Sequence, residues 1–333
     1  NTIVVYSSFL IKTRTNLNTN SMKNSLIYVF ALFTLNSFAQ YEYPSVDDAK
    51  IVLESTLAVQ LLDEESELDT YANDAVIEVF EENWNLTKVV FLSKAEINAL
   101  KETGDKTYAY LTHFNARQID QRSMYIDKQG RSSFIGPGPI NSVKHNYTAF
   151  TFSFYSYELE IFNKKNKLQS VTEIGFANGE LLKIDYLFLC QQLDNLIGSA
   201  SKDVPAKEYY NVERNIKKNE NSKLILLSDF FREKDIKKMD SFYENEYELV
   251  DMEKYQDIIL SKESGKGYVK IIWSHHHKMY MWTVVNAEDG AVISQMGFGG
   301  IKFGKNHDAN DIIKAKHLSY ITSKMAQKIN NKY

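Results

Sequence analysis

A single cysteine, Cys190, stands among 333 residues, so no disulfide can form within the chain and the fold must rest on its apolar core. Proline is nearly as scarce, with Pro44, Pro137, Pro139 and Pro205 marking the only hard breaks. There is no basic cluster: 39 Lys and Arg against 43 Asp and Glu give a formal charge of −4. Nucleic acid, which is held by Lys and Arg neutralising phosphates, is therefore excluded as a partner. No apolar run reaches the roughly 20 residues that span a bilayer. Also missing are G-x-S-x-G, H-E-x-x-H, paired C-x-x-C and a phosphate loop followed by G-K-[ST]. Nothing thus selects a catalytic residue, a resident metal or a cofactor.

What is present begins at Met22, where the chain reads MKNSLIYVFALFTLNSFAQ. Lys23, an apolar run over 26–35 and the small residues Ser37 and Ala39 predict a secretory signal over 22–39, cleaved before Gln40. Residues 1–21 read as upstream sequence from a misplaced start. The chain from Gln40 keeps 36 basic and 43 acidic residues, a formal charge of −7, and no permanent membrane span is expected after cleavage. Export to the periplasm or beyond follows.

The mature part also compares with itself. ENWNLTKVVFLSKAEINALKETGDKTYAYL (82–111) lies over ENEYELVDMEKYQDIILSKESGKGYVKI (244–271), setting Trp84 on Tyr247 and Tyr108 on Tyr268. YELEIFNKKNKLQSVTEIGF (157–176) lies over MYMWTVVNAEDGAVISQMGF (279–298) without a gap. Hydrophobic period gives each unit the order β-α-β-α-β-β-β-α, with Asp289-Gly290 marking a hairpin turn. The expected fold is α/β with mixed sheets, in two tandem lobes. The first covers 45–197 with an insertion at 112–156, 198–207 is a linker, and 208–333 forms the second.

Candidate site residues fall in two places. WSHHHKMYMW (273–282) carries three histidines, and on a strand His275 and His277 share a face. Two such residues hold zinc only if a third ligand converges, and no spacing supplies one, so an exposed hairpin tip is the reading preferred. In the insertion, YTAFTFSFYSYELEIF places Phe150 and Phe152 on one parity and Tyr155 and Tyr157 on the other. A bulge near Phe154 and Tyr155 would bring all four to one side. Long insertions of this kind are often functional.

The signal ending in SFAQ, the YEYP that follows and the KTYAYL strand resemble a group of uncharacterised exported proteins of Bacteroidetes-type bacteria, over residues 22–111. The resemblance implies export and nothing about chemistry. The sequence therefore points to an exported, non-catalytic binding or interaction protein, with Phe150, Phe152, Tyr155, Tyr157, His275 and His277 as ligand-binding candidates. The alternatives are a metal-dependent hydrolase at the His275 and His277 turn, and a structural partner in envelope assembly.

Overall fold

The computed structural model describes residues 42–126, 132–133, 143–177, 181–274, 279–297 and 314–321, all within one compact unit. The expected signal and its cleavage point lie outside the described residues. In the first half come α1 (Val46–Glu54), β1 (Thr56–Gln60), α2 (Glu67–Asn83), β2 (Val89–Leu92), α3 (Lys94–Thr103), β3 (Tyr108–Ile126), β4 (Val143–Phe162), β5 (Leu168–Phe176) and α4 (Lys183–Ser201). The second half has α5 (Val212–Lys218), β6 (Lys223–Leu227), β7 (Tyr247–Val250), α6 (Met252–Leu260), β8 (Lys266–Ser274), β9 (Met279–Asn286) and β10 (Val292–Gly297). A 3-10 turn at Ala315–Ile321 closes the described chain.

All strands belong to one mixed sheet. Across it the first half runs β2-β1-β3-β4-β5 and the second β7-β6-β8-β9-β10. In each, the first three strands are parallel and the remaining pairs antiparallel. The halves meet where β5 and β8 pair antiparallel, Gly175 opposite Trp273 and Phe176 opposite Ile272.

Chain direction decides which face each helix covers. β1 leads through α2 to β2 on one side, and α3 returns the chain past β1 to β3 on the other. Because crossovers between parallel strands are right-handed, α2 and α3 must lie on opposite faces. Accordingly α2 buries Val76, Val79 and Phe80 in one cluster with Leu57 and Val59, while α3 sets Ile97 against Ala58 and Tyr110. In the second half the faces are exchanged. There α6 buries Tyr255 and Ile258 in the α2 cluster, and the segment after β6 brings Phe231, Met239 and Tyr243 against Leu224 and Leu226 on the other side. The exchange follows from the β5 to β8 seam, whose antiparallel pairing turns the second strand set over within the sheet.

The helix starts are those the sequence marks. Ser66, Ser93 and Asp251 each accept an amide hydrogen from the first turn that follows, and Glu96 returns the bond to Ser93. One helix was not expected: α1, capped by Ser45, whose side chain accepts from Asp48 N–H. The second half, conversely, has no long helix after β6, only a short one at Glu233–Ile236 and 3-10 turns. In one continuous helix Phe231 and Tyr243 would point about a third of a turn apart. Breaking it lets both reach the core.

α4 closes the joint and is buried on almost every side, from Ile184 to Ala200. It runs on to Ser201, so the start of the expected 198–207 linker is helical. Beneath it lies the β9 to β10 hairpin: Gln192 donates to Gly290 O at 2.7 Å and Asn195 to Asp289 O at 2.9 Å. Gly290 has φ +69, and a Cβ there would stand 2.5 Å from the Cβ of Gln191, so the turn needs glycine for both its conformation and the helix above it. Asp185 accepts Leu182 N–H at 2.7 Å with one oxygen and the Lys270 ammonium with the other. Lys270 also lies 5.8 Å from the ring centre of Phe176.

The ladders move the internal alignment. Leu57 pairs with Val89 and Ala109, and Leu224 pairs with Tyr247 and Gly267. Val89, not Trp84, therefore stands where Tyr247 does, and Tyr110, not Tyr108, where Tyr268 does. Both Tyr110 and Tyr268 are fully buried. At β3 the shift is two residues, which keeps every side chain on its face and so leaves the hydrophobic pattern unchanged, whereas at β2 it is five.

Candidate functional site

The described residues of the insertion at 112–156 are strand. β3 and β4 continue past the sheet as a two-stranded arm, twelve residue pairs from Asn115 opposite Tyr155 to Ile126 opposite Val143. At roughly 3.3 Å per residue the arm is about 40 Å long. Apart from Ser132–Ser133, which pairs with Tyr125 and Ile126, no third strand joins it among the described residues. Its signal was the alternation in HFNARQIDQRSMYI, weakened by Gln118, Asp120 and Arg122 at positions of the apolar parity.

The root of the arm is tightly built. Gln60, at the end of β1, meets His113 Nε2 through its side-chain nitrogen at 3.1 Å, and the backbone of Leu61 bonds to the same ring. His113 lies directly opposite Tyr157, their rings 5.8 Å apart. Tyr157 is hydrogen-bonded to Tyr186 of α4 and set edge-on to it, and it also meets Phe176 edge-on. The loop after β1 is held by Asn73 of α2, which accepts Leu62 N–H at 2.8 Å and donates to Leu62 O at 3.0 Å. On the opposite face Glu160 pairs with Lys101 of α3 and accepts the Thr112 hydroxyl at 3.1 Å.

Burial governs protonation at this root. It raises the Tyr157 hydroxyl well above its ordinary value and pushes Tyr186 up to about 12. Burial, aided by the charge of Lys94 and opposed by the Leu61 backbone bond and Asp63, lowers His113 below its ordinary 6.5. A base with a lowered folded pKa binds fewer protons folded than unfolded. Its contribution to stability is therefore complete above about pH 6.5 and declines as pH falls below it. The urea midpoint of the wild type should drop between pH 7.5 and pH 5.5 by more than that of His113→Gln; equal drops would exclude His113 as the source.

Of the candidates read from sequence, Phe150 and Phe152 stand on the arm and Tyr155 and Tyr157 at its root. The expected bulge near Phe154 and Tyr155 is absent, because Ala116 opposite Phe154 and Asn115 opposite Tyr155 are consecutive pairs. The register shifts instead between Asp120 and Gln121, where Ala149 is the extra residue. Phe150 and Phe152 thus share one parity, and Tyr155 and Tyr157 hold the other. Tyr157 belongs to the core, at 3 % exposure. His275 and His277 lie outside the described residues. Among the described residues no group of three or more His, Cys, Asp or Glu could hold a metal ion. Cys190 is buried in α4, where burial raises its thiol.

Sequence reasoning missed Gln60 and His113 as a pair, since Gln60 is an isolated polar residue ending β1 and His113 one within β3. Compared with known proteins, the chain matches no family model, no curated protein and no solved structure.

Proposed function

We propose that the protein is an exported, non-catalytic interaction protein that engages its partner through the β3 to β4 arm. The observation that carries this is the arm itself, twelve residue pairs of two-stranded ribbon standing off the sheet. A two-stranded ribbon is only marginally stable in water, so one of this length, with Phe150, Phe152 and Phe154 on one parity, is best explained by a surface that it meets. Export rests on the Lys23, 26–35 and Ala39 pattern. An internal duplication underlies the architecture in this reading. Its support is the matching strand order of the halves, and bulges at Val171 in β5 and Ile293 in β10, residues aligned without a gap in the sequence.

The second half supplies the template for a test, because its equivalent strands are joined by residues 275–278 alone. Replacing 117–153 with a four-residue turn should leave the melting temperature within a few degrees, since the root at His113, Tyr155 and Tyr157 is kept. A photoreactive aromatic residue at position 152 should form an adduct in the source cell envelope. The same residue at Leu168, exposed at the far end of the β4 to β5 hairpin, should form none. Equal labelling from both positions would sink the arm as the binding element.

A further inference from the structure

The outward face of α2 is charged with one sign. Ten acids and no basic residue stand between Lys50 and Lys88, most of them in α2 or the loop before it. Glu67, Tyr71, Asp74, Glu78 and Glu81 fall within about 80° of one another around the helix axis, and all five are exposed. Leu68, three residues before Tyr71, is 63 % exposed and Tyr71 51 %, the two most exposed large apolar side chains among the described residues. Helix energetics do not account for this pattern. Asp74 and Glu78, like Glu78 and Glu82, set like charges one turn apart, where they repel. Glu81 and Glu82 stand in the last turn, whose free carbonyls favour cations, and that turn holds no basic residue. Lys183 of α4 reaches Glu78.

We infer, independently of the arm, that this face of α2 docks a cationic segment of another protein. Its Lys or Arg side chains lie along the row from Glu67 to Glu81, and an apolar side chain covers Leu68 and Tyr71. Charge complementarity decides the occupant. A phosphate backbone or an anionic membrane surface is repelled by the row, and a second copy of this chain presenting the same face would set acid against acid. A metal ion needs convergent carboxylates, whereas these are spread over about 21 Å of helix. Among the described residues no group of three or more His, Cys, Asp or Glu could hold one. A Lys or Arg of the segment gains in addition from the aromatic face of Tyr71, which attracts a cation.

The test is fluorescence anisotropy of a labelled amphipathic peptide of lysine and leucine, titrated with the purified protein. The wild type should bind it with micromolar affinity. Glu67→Gln, Asp74→Asn, Glu78→Gln and Glu81→Gln together should weaken binding about tenfold. Leu68→Ser with Tyr71→Ser should weaken it about fivefold. Neutralising four exposed acids elsewhere, Glu102, Glu246, Glu253 and Asp257, should change it by less than about twofold, since screening confines each charge to its own surroundings. Melting curves on every variant verify folding. Failure of the peptide to bind overturns the inference, as does a stripe variant that binds no worse than the control variant. An affinity indifferent to Leu68→Ser with Tyr71→Ser overturns it too, because the face would then be a diffuse polyanion. Equal binding of a glutamate and leucine peptide does the same by removing charge as the determinant. Labelling from position 152 of the arm is read separately, so either surface can fail alone.

Discussion

Lys270→Met is expected to destabilise the fold by about 3–5 kcal/mol, because it leaves the Asp185 carboxylate charged and buried without its cation. Asp185 is 1 % exposed and Lys270 8 %, so neither charge has water to fall back on. The pair reaches from α4 to β8 and therefore ties the first half's last helix to the second half's central strand. Adding Asp185→Leu should recover part of the loss, since both charges are then gone. Recovery stays incomplete, because Leu182 N–H loses its acceptor and an unpaired buried amide costs about 1–3 kcal/mol. Urea unfolding of the two single variants and the double variant measures the coupling. A loss for Lys270→Met below about 1 kcal/mol would reduce the pair to the standing of a surface contact.

Gly175→Val should open the seam. A Cβ at this position would lie 2.5 Å from the backbone oxygen of Trp273 and 3.2 Å from Ser156 Oγ. The first neighbour is main chain of the opposing strand and cannot rotate away. Overpacking of this sort costs about 1–3 kcal/mol, and the seam adds to it, because its two residue pairs are both adjacent to the clash. We expect a loss of about 3 kcal/mol or more. Hydrogen exchange should accelerate at 174–176 and 271–274 while 57–60 stays protected. Gly198→Ala in α4 is the control: a Cβ there meets nothing within 4 Å, and the exchange of glycine for alanine in a helix should stabilise by about 0.5–1 kcal/mol. Uniform acceleration across both halves would show that the seam is not a separate point of weakness.

Much of the order of elements was legible before the fold was seen, and the reasons are local. The apolar strands KLILL, EYELV and KGYVKIIW and the Asp289-Gly290 turn each depend on neighbours a few residues away. What escaped depends on distant pairing. That one sheet runs through both halves is decided by two residue pairs between β5 and β8, and no hydrophobic period records them. Lys270 stands between Val269 and Ile271 with nothing close in sequence to mark it as buried. It is buried because Asp185, far away in sequence, sits over it. The aromatic strand of the insertion was legible, but Gly136, Pro137, Gly138 and Pro139 obscured its partner, the continuation of β3 to Ile126. Of the candidate residues, the division between phenylalanines and tyrosines was legible from alternation alone, and the place of the extra residue in β4, at Ala149 rather than near Phe154 and Tyr155, was not.

The way α4 is shared has a consequence in time. Helix 183–201 belongs by sequence to the first half, yet Gln192, Asn195 and Asp185 find their partners at Gly290, Asp289 and Lys270. A chain emerging from its amino end, whether from a ribosome or a translocation pore, presents α2 and the β1 to β5 strands to this helix first. Its far side, with the Asp185 carboxylate among apolar neighbours, waits until the last hairpin has arrived. During that interval the nascent protein carries an uncovered hydrophobic flank of the kind that chaperones hold and that aggregation exploits. A chain halted just after residue 201 is therefore a natural client for a holding factor, and release has to wait for β9 and β10.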